Sequence, residues 1–167
     1  EKTPFIIDDN TTQFAMFGIG DMFPDYLPII PKEDMLTMTI VTTVADLKKG
    51  LKAVDVIAAG GTSMALLEAN SQNTSLTMSA HVPALGMSEV SVPVSEVKGK
   101  ASRKPKGEMT AVLIIALNAR YLIHSVAGFK DDEEVIIQAH TSNTPIVIKM
   151  KNLKDSYLYV QMPMATN

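Results

Sequence analysis

The fold is decided by residues 35–61, MLTMTIVTTVADLKKGLKAVDVIAAGG. These residues predict a strand, then a helix, then the end of that helix. The alternating, β-branched stretch up to Thr43 predicts a strand. Thr43, with Asp46 three residues later, resembles the capping box that opens a helix. The apolar residues that follow share one helix face: Leu47, Leu51, Val54 and Ala58. Gly60 and Gly61 then end the helix, so the stretch predicts a strand that leads straight into an amphipathic helix.

The same order of elements recurs in the last third of the chain. Residues 109–117 (MTAVLIIAL) predict a buried strand, and Asn118 can cap a second helix. Its inward stripe is predicted to be Leu122, Val126 and Phe129. Three strands are predicted after each helix, near residues 63–69, 75–81 and 87–96 and near residues 133–140, 144–150 and 156–162. Two such units predict an α+β domain with a curved antiparallel sheet and two helices side by side on its inner face.

The start of the chain has a different character. Residues 3–8 (TPFIID) and 12–18 (TQFAMFG) are β-rich runs on either side of a polar turn, which predicts a hairpin. Residues 20–31 contain Pro24, Pro28 and Pro31, and therefore predict an extended connector at a domain boundary. Because the chain begins at Glu1 rather than Met, we expect it to be a fragment.

Composition narrows the class of protein. With 46% hydrophobic and 20% charged residues, the 167-residue chain is typical of a soluble globular protein. It has no apolar run of the roughly 20 residues that a transmembrane helix needs. The absence of Cys excludes disulfides and thiolate metal sites and fits a cytoplasmic location. A net charge of -3 argues against a wholly basic nucleic-acid binder but leaves room for a local basic face.

Signals for catalysis are missing from the sequence. His81, His124 and His140 are far apart, and no metal-binding HExxH pair, Cys nucleophile or phosphate-binding glycine loop is present. The acidic run 131–134 is best explained as a solvated turn. The sequence therefore predicts a non-enzymatic protein that needs no metal and no cofactor.

Three motifs resemble one family, the bacterial DNA polymerase III beta subunit, which is the sliding clamp. Residues 23–31 (FPDYLPIIP) are similar to its connector between the second and third domains. Residues 117–122 (LNARYL), continuing to Lys130 and Asp131, are similar to its last helix, and residues 159–164 (YVQMPM) to its ending. Departures are Leu27 and Pro28, where the family often has basic residues, and the ending 165–167 (ATN).

The resemblance implies a DNA clamp domain at residues 31–167, preceded at residues 1–30 by the end of a middle clamp domain and the connector. Clamp subunits join head to tail in a homodimeric ring around double-stranded DNA. The implied function is to give a replicative DNA polymerase processivity. The implied partners are the polymerase, clamp loader and repair proteins, which dock short peptide motifs. A β-rich peptide-binding adaptor with no DNA role remains the alternative.

The resemblance also implies three sets of site residues. The partner-peptide groove is expected at Pro24, Ile29, Asn118, Tyr121, Thr144, Ile146, Val160, Met162, Pro163 and Met164. The DNA channel is expected at Lys48, Lys49, Lys52, Arg120 and His124. The subunit interface is expected at Ile57 and Ala58. Simpler alternatives stay open: Ile146 and Val160 as ordinary core, Asn118 as a helix cap only, the lysines as a solvated helix face, and Ile57 and Ala58 as ordinary core.

Overall fold

The computed structural model describes residues 4–8, 13–17, 25–70, 75–99, 113–153 and 156–165. Its strands are β1 Pro4–Asp8, β2 Gln13–Phe17, β3 Met38–Thr43, β4 Met64–Asn70, β5 Ser75–Val82, β6 Gly86–Pro93, β7 Glu96–Lys98, β8 Leu113–Asn118, β9 Glu134–Ala139, β10 Ile146–Met150 and β11 Leu158–Gln161. Helix α1 spans Val44–Ala58 and helix α2 spans Ala119–Ser125, and short 3-10 turns lie at Leu27–Ile29 and Glu33–Met35. No helix among the described residues is long and apolar enough to cross a membrane.

The strands form three antiparallel sheets. Strands β1 and β2 pair with each other as the predicted hairpin. A five-stranded sheet has the order β11-β10-β9-β3-β7, and a four-stranded sheet has the order β6-β5-β4-β8. The prediction of an α+β domain with antiparallel strands is confirmed, although strands β3 to β11 are divided between two sheets.

The strand that precedes each helix lies in the sheet with the strands that follow the other helix. Strand β3 precedes α1 but pairs with β9, where Thr43 lies opposite Glu134. Strand β8 precedes α2 but pairs with β4, where Asn118 lies opposite Met64. Because the two units exchange strands in this way, each sheet is complete only when both units are folded.

One cluster of buried side chains joins both helices to both larger sheets. The predicted stripe of α1 is confirmed, since all its residues are at most 1% exposed: Leu47, Leu51, Val54 and Ala58. Helix α1 lies beside α2 and packs on β4, β5 and β6. The core therefore places the two helices next to each other, as predicted.

Two elements are shorter than the sequence predicted. Helix α2 ends at Ser125, so Val126 caps it and Phe129 lies beyond it. The predicted strand 87–96 is split, because β6 ends at Pro93 and the chain then crosses to the other sheet as β7. The crossing is held by the Ser95 amide, which donates to the Val41 carbonyl at 2.8 Å. The composition of residues 97–107 (VKGKASRKPKG) predicts a basic loop, but residues 97 and 98 belong to β7, and residues 100–107 lie outside the described residues.

Candidate functional site

The tail 162–165 after β11 links the two larger sheets. Strand β11 belongs to the five-stranded sheet, but the Met164 amide donates to the Ala116 carbonyl of β8 at 2.8 Å. The Gln161 Nε2 donates to the Asn118 carbonyl at 3.2 Å. Since β8 is the edge strand of its sheet, the tail lies along an edge that would otherwise expose unpaired carbonyls.

A mainly apolar cavity of about 700 Å³ lies on one side of this tail. It is lined by Leu27, Pro28, Ile29, Ile30, Pro31, Lys32, Met35, His140, Thr144, Pro145 and Met162. Met162 is 57% exposed and Ile29 is 50% exposed, although both side chains are large and apolar. Exposed apolar side chains gathered in a concave surface are typical of a binding site.

A second, smaller cavity of about 240 Å³ lies at the other end of the tail. Met164 lines it together with Leu66, Ile114, Ala116, Ser142 and Asn143. The β9–β10 loop borders both cavities, since His140 and Thr144 line the larger one and Ser142 and Asn143 the smaller one. The tail therefore presents one methionine to each cavity.

The predicted groove residues are only partly brought together. Ile29, Thr144 and Met162 line the larger cavity, whereas Met164 lines the smaller one and Pro163 lies half-buried between the two methionines. Pro24 lies outside the described residues.

The other predicted groove residues have different surroundings. Ile146 is fully buried, so it offers no surface to a peptide, and this prediction is corrected to a core position. Val160 is half-buried in β11. Asn118 caps α2 by accepting from the Arg120 and Tyr121 amides at 3.1 and 3.2 Å. Tyr121 is 59% exposed on the first turn of α2 and lines neither of the two tail cavities.

Several lining residues were missed by the sequence prediction. They come from the connector and from the β9–β10 loop: Leu27, Pro28, Ile30, Pro31, Lys32, Met35, His140 and Pro145. The available signal was the run of apolar residues and prolines in LPIIP, which is unusual for a solvated connector. The contribution of the loop has no comparable sequence signal, because it depends on strand pairing.

The lysines of α1 line a cleft of about 480 Å³ beside α2, with Lys48, Lys49 and Lys52 at its border together with Ile123. Lys48 already has partners within the protein. Its Nζ lies 3.3 Å from the Asp131 carboxylate and donates to the Phe129 carbonyl at 3.1 Å. Lys49 and Lys52 are exposed, and neither makes an ion pair with any residue in the described part of the chain.

The predicted cations of α2 differ from these lysines. The Arg120 Nε lies 3.4 Å from the Asp55 carboxylate, which bridges the two helices. His124 is exposed in the last turn of α2 and does not line the cleft. Of the predicted DNA-channel cations that line the cleft, Lys49 and Lys52 are therefore the ones with no carboxylate partner among the described residues.

The acidic run 131–134 has structural partners. Asp131 pairs with Lys48, and the Glu133 carboxylate accepts from the Lys130 amide at 2.8 Å. Glu134 pairs with Lys151 at 2.6 Å, and the hydrogen bond from Lys151 holds the pKa of the Glu134 carboxyl below its usual range. These carboxylates stabilise the turn that leads into β9.

The predicted subunit contacts lie at the end of α1. Ala58 is only 1% exposed and belongs to the core, so its side chain has no surface for a neighbouring subunit and this prediction is corrected. Ile57 is half-buried against the same core. Exposed apolar residues on α1 and on the β5–β6 hairpin that packs against it are Val56, Leu85 and Met87.

Comparison with known proteins identifies the fold. No protein-family model matches the sequence, and no curated protein matches it. The structure is similar to the DNA polymerase III beta subunit of Thermotoga maritima, with 23% identity and a TM-score of 0.75 over 97% of this chain and 39% of that chain. It is also similar to the DNA polymerase sliding clamp of Bacillus subtilis, with 16% identity and a TM-score of 0.77 over 100% of this chain and 40% of that chain.

A sliding clamp of Pseudomonas aeruginosa gives the same result, with 20% identity and a TM-score of 0.77 over 98% of this chain and 40% of that chain. The chain thus spans about 40% of the length of these clamps. Along nearly its whole length, it has the fold of the bacterial DNA polymerase sliding clamps.

Proposed function

We propose that this chain is part of a DNA sliding clamp that encircles duplex DNA, docks partner peptides in its groove and thereby gives a replicative DNA polymerase processivity. The clamp fold supports this proposal, and the cavity of about 700 Å³ beside Met162 is the single observation that carries its peptide-docking part. The protein would act without catalysis, metal or cofactor, in the cytoplasm. Its partners would be double-stranded DNA, the polymerase, the clamp loader and repair proteins.

The domain assignment is part of the same proposal. Residues 1–30 would be the end of a middle clamp domain with its connector, and residues 31–167 the C-terminal clamp domain. The separate two-stranded ladder of β1 and β2 supports this division. In the full ring, the apolar surface around Ile57, with Val56, Leu85 and Met87, would face the next subunit.

The chemistry of the groove favours a peptide with large apolar anchors. Its lining is mostly aliphatic, with Met162 and Met35 as adaptable side chains. Lys32, His140 and Thr144 add a few polar groups at the same cavity. Apolar anchors of the peptide would bury surface against the aliphatic lining. A Gln or carboxylate of the peptide would hydrogen-bond to Lys32, His140 or Thr144.

A titration with a labelled peptide carrying Gln and apolar anchors tests the groove. We expect the Met162→Ala variant to bind roughly 10-fold more weakly, because it removes a large part of the apolar contact. Met87→Ala is the matched control, since Met87 is 67% exposed but lies on β6, away from the cavity. Equal affinity of both variants and the unchanged protein would contradict the groove assignment.

The DNA face is proposed to be the α1–α2 side, where Lys49 and Lys52 meet phosphates without reading bases. Loading of the protein onto a circular duplex should weaken with rising salt. For the Lys49→Ala/Lys52→Ala double variant, we expect the slope of log K against log salt to decrease by about 1.8, because each phosphate contact contributes about 0.9.

The matched control is Lys98→Ala/Lys151→Ala, which removes the same charge from residues that line neither the cleft nor the groove. An identical salt slope for both double variants would contradict the assignment of the DNA face. Loaded protein should also leave the duplex when the circle is cut, because encirclement needs a closed DNA. Peptide binding without any DNA retention would instead favour the adaptor function.

A further inference from the structure

We propose that Gln161 is a positioning residue that fixes the Met162 wall of the groove to the start of α2. The inference rests on the proposed peptide groove, because the position of Met162 matters only if a partner docks there. Gln161 itself does not line the cavity, whereas its neighbour in the chain, Met162, does.

Gln161 is a buried polar residue at the end of β11. It is 6% exposed and lies opposite the fully buried Ile146 in the β10–β11 ladder. A buried amide costs free energy unless its hydrogen bonds are made. Both ends of this amide have partners: Nε2 donates to the Asn118 carbonyl and Oε1 accepts from the Tyr159 hydroxyl, each at 3.2 Å.

Asn118 is a rigid anchor because other bonds already hold it. Its side chain accepts from the Arg120 and Tyr121 amides, which fixes the N-terminus of α2. Its backbone belongs to β8, where it lies opposite Met64. A side chain that binds the Asn118 carbonyl is therefore tied to the junction of a sheet and a helix.

The tail 162–165 that follows Gln161 is held to β8 by one further hydrogen bond. Its second attachment is the Met164 amide on the Ala116 carbonyl, at 2.8 Å. Met162 and Pro163 lie between the two attachments, and proline has no amide hydrogen to donate. The direction in which Met162 leaves the sheet is thus set at one end by the Gln161 amide.

The Tyr159 bond and the Asn118 bond can be separated by mutation. Gln161→Leu removes both bonds and replaces the buried amide by an apolar group of similar size. Tyr159→Phe removes only the Tyr159 bond and leaves the Nε2 contact with Asn118 in place. If the Asn118 bond positions the wall, Gln161→Leu should affect Met162 and Tyr159→Phe should not.

The first measurement uses methionine-methyl NMR spectra of the peptide-free protein. In Gln161→Leu, we expect the methyl signals of Met162 and Met164 to shift, while those of the buried Met78 and Met150 stay in place. In Tyr159→Phe all four signals should stay. Unchanged Met162 signals in Gln161→Leu would overturn the proposal, and so would shifts that also reach Met78 and Met150.

The second measurement is peptide affinity in the same variants. Gln161→Leu should bind up to about 5-fold more weakly, because the free energy of one hydrogen bond is the most that the fixed position of Met162 can contribute, and Tyr159→Phe should bind normally. Gln161→Asn, whose shorter amide cannot reach the Asn118 carbonyl, should repeat the loss. Equal binding by all variants overturns the proposal. If the unchanged protein binds no peptide, the proposed function fails, but the NMR shifts still decide the role of Gln161.

Discussion

The two strand–helix junctions of the domain begin alike and end differently. In each, a polar residue caps the helix, Thr43 through its hydroxyl and Asn118 through its amide. In each, the first helical amide donates to a carbonyl of the other unit at 2.9 Å, Val44 to Glu133 and Ala119 to Ser63. Yet α1 continues for 15 residues and α2 for only 7.

The difference lies in what each helix packs against after its first turn. Helix α1 buries apolar residues along its whole length and rests on three strands. Helix α2 stops where the Tyr157 hydroxyl donates to the Ser125 carbonyl, and the Tyr157 ring meets Phe129 edge to face with centroids 4.8 Å apart. A 7-residue helix is marginal on its own, so its stability must come from these attachments.

The comparison shows that caps determine where a helix begins, whereas tertiary packing determines how far it continues. It also separates two proposed roles. The long α1 would present to DNA Lys49 and Lys52, which pair with no carboxylate among the described residues, and the short α2 would support the groove through the bond between Asn118 and Gln161.

The largest effect is expected from truncating the equivalent core leucines, each the fourth residue after its cap. Leu47→Ala and Leu122→Ala should each lower the free energy of unfolding by about 2 to 5 kcal/mol, since both leucines are fully buried. Leu122→Ala should cost more, because α1 keeps Leu51 and Val54 whereas α2 has no second buried leucine or valine within its bounds.

Urea unfolding of both variants measures this difference. Val56→Ala is the control, since Val56 lies on α1 but is 74% exposed and should change stability by less than about 0.5 kcal/mol. A larger loss for Leu47→Ala than for Leu122→Ala would show that helix length does not protect α1.

A smaller effect is expected from the two caps. Asn118→Ala leaves two backbone amides of a short helix without their acceptor and should cost about 2 kcal/mol. Thr43→Ala frees one amide of a long helix and should cost about 1 kcal/mol. Asn118→Asp, which keeps the acceptor, should restore most of the loss in urea unfolding. Equal losses at both caps would mean that α2 does not depend on its cap more than α1 does.

The smallest effect is expected at the end of α2. Tyr157→Phe removes the hydrogen bond to Ser125 and should cost about 0.5 kcal/mol at neutral pH. Burial raises the pKa of Tyr157 above its usual 10.0, so the folded state favours the neutral phenol. Its contribution is therefore present below pH 10.0 and is lost as the pH rises through the folded-state pKa.

The corresponding measurement is urea unfolding of both proteins at neutral pH and at alkaline pH. The unchanged protein should lose more stability on the alkaline side than Tyr157→Phe does. Tyr159, whose pKa is also raised by burial, accounts for the loss that both proteins share. Parallel pH profiles would show that the Tyr157 hydroxyl does not hold the end of α2.

Much of the fold could be predicted from local patterns. The cap at Thr43, the stripe of α1 and the cap at Asn118 are each encoded within a few residues, and all three are confirmed. The length of α2 could not be predicted, because it depends on Tyr157, which lies 32 residues further along the chain than Ser125.

The candidate groove was predictable only in part. Ile29, Thr144 and Met162 line the cavity that we propose as the groove, whereas Ile146 belongs to the core because it is fully buried in β10. Gln161 was not singled out, since an isolated polar residue in a strand gives no sign of the carbonyl that it will bind.

The sequence by itself determined the start of each helix and the apolar stripe of α1, because these depend on neighbouring residues and on helix periodicity. Only the tertiary structure decided the exchange of β3 and β8 between the two sheets, the length of α2 and the cavity beside Met162. These features depend on contacts between residues that are far apart in the chain, and a local pattern carries no information about which distant partner will satisfy it.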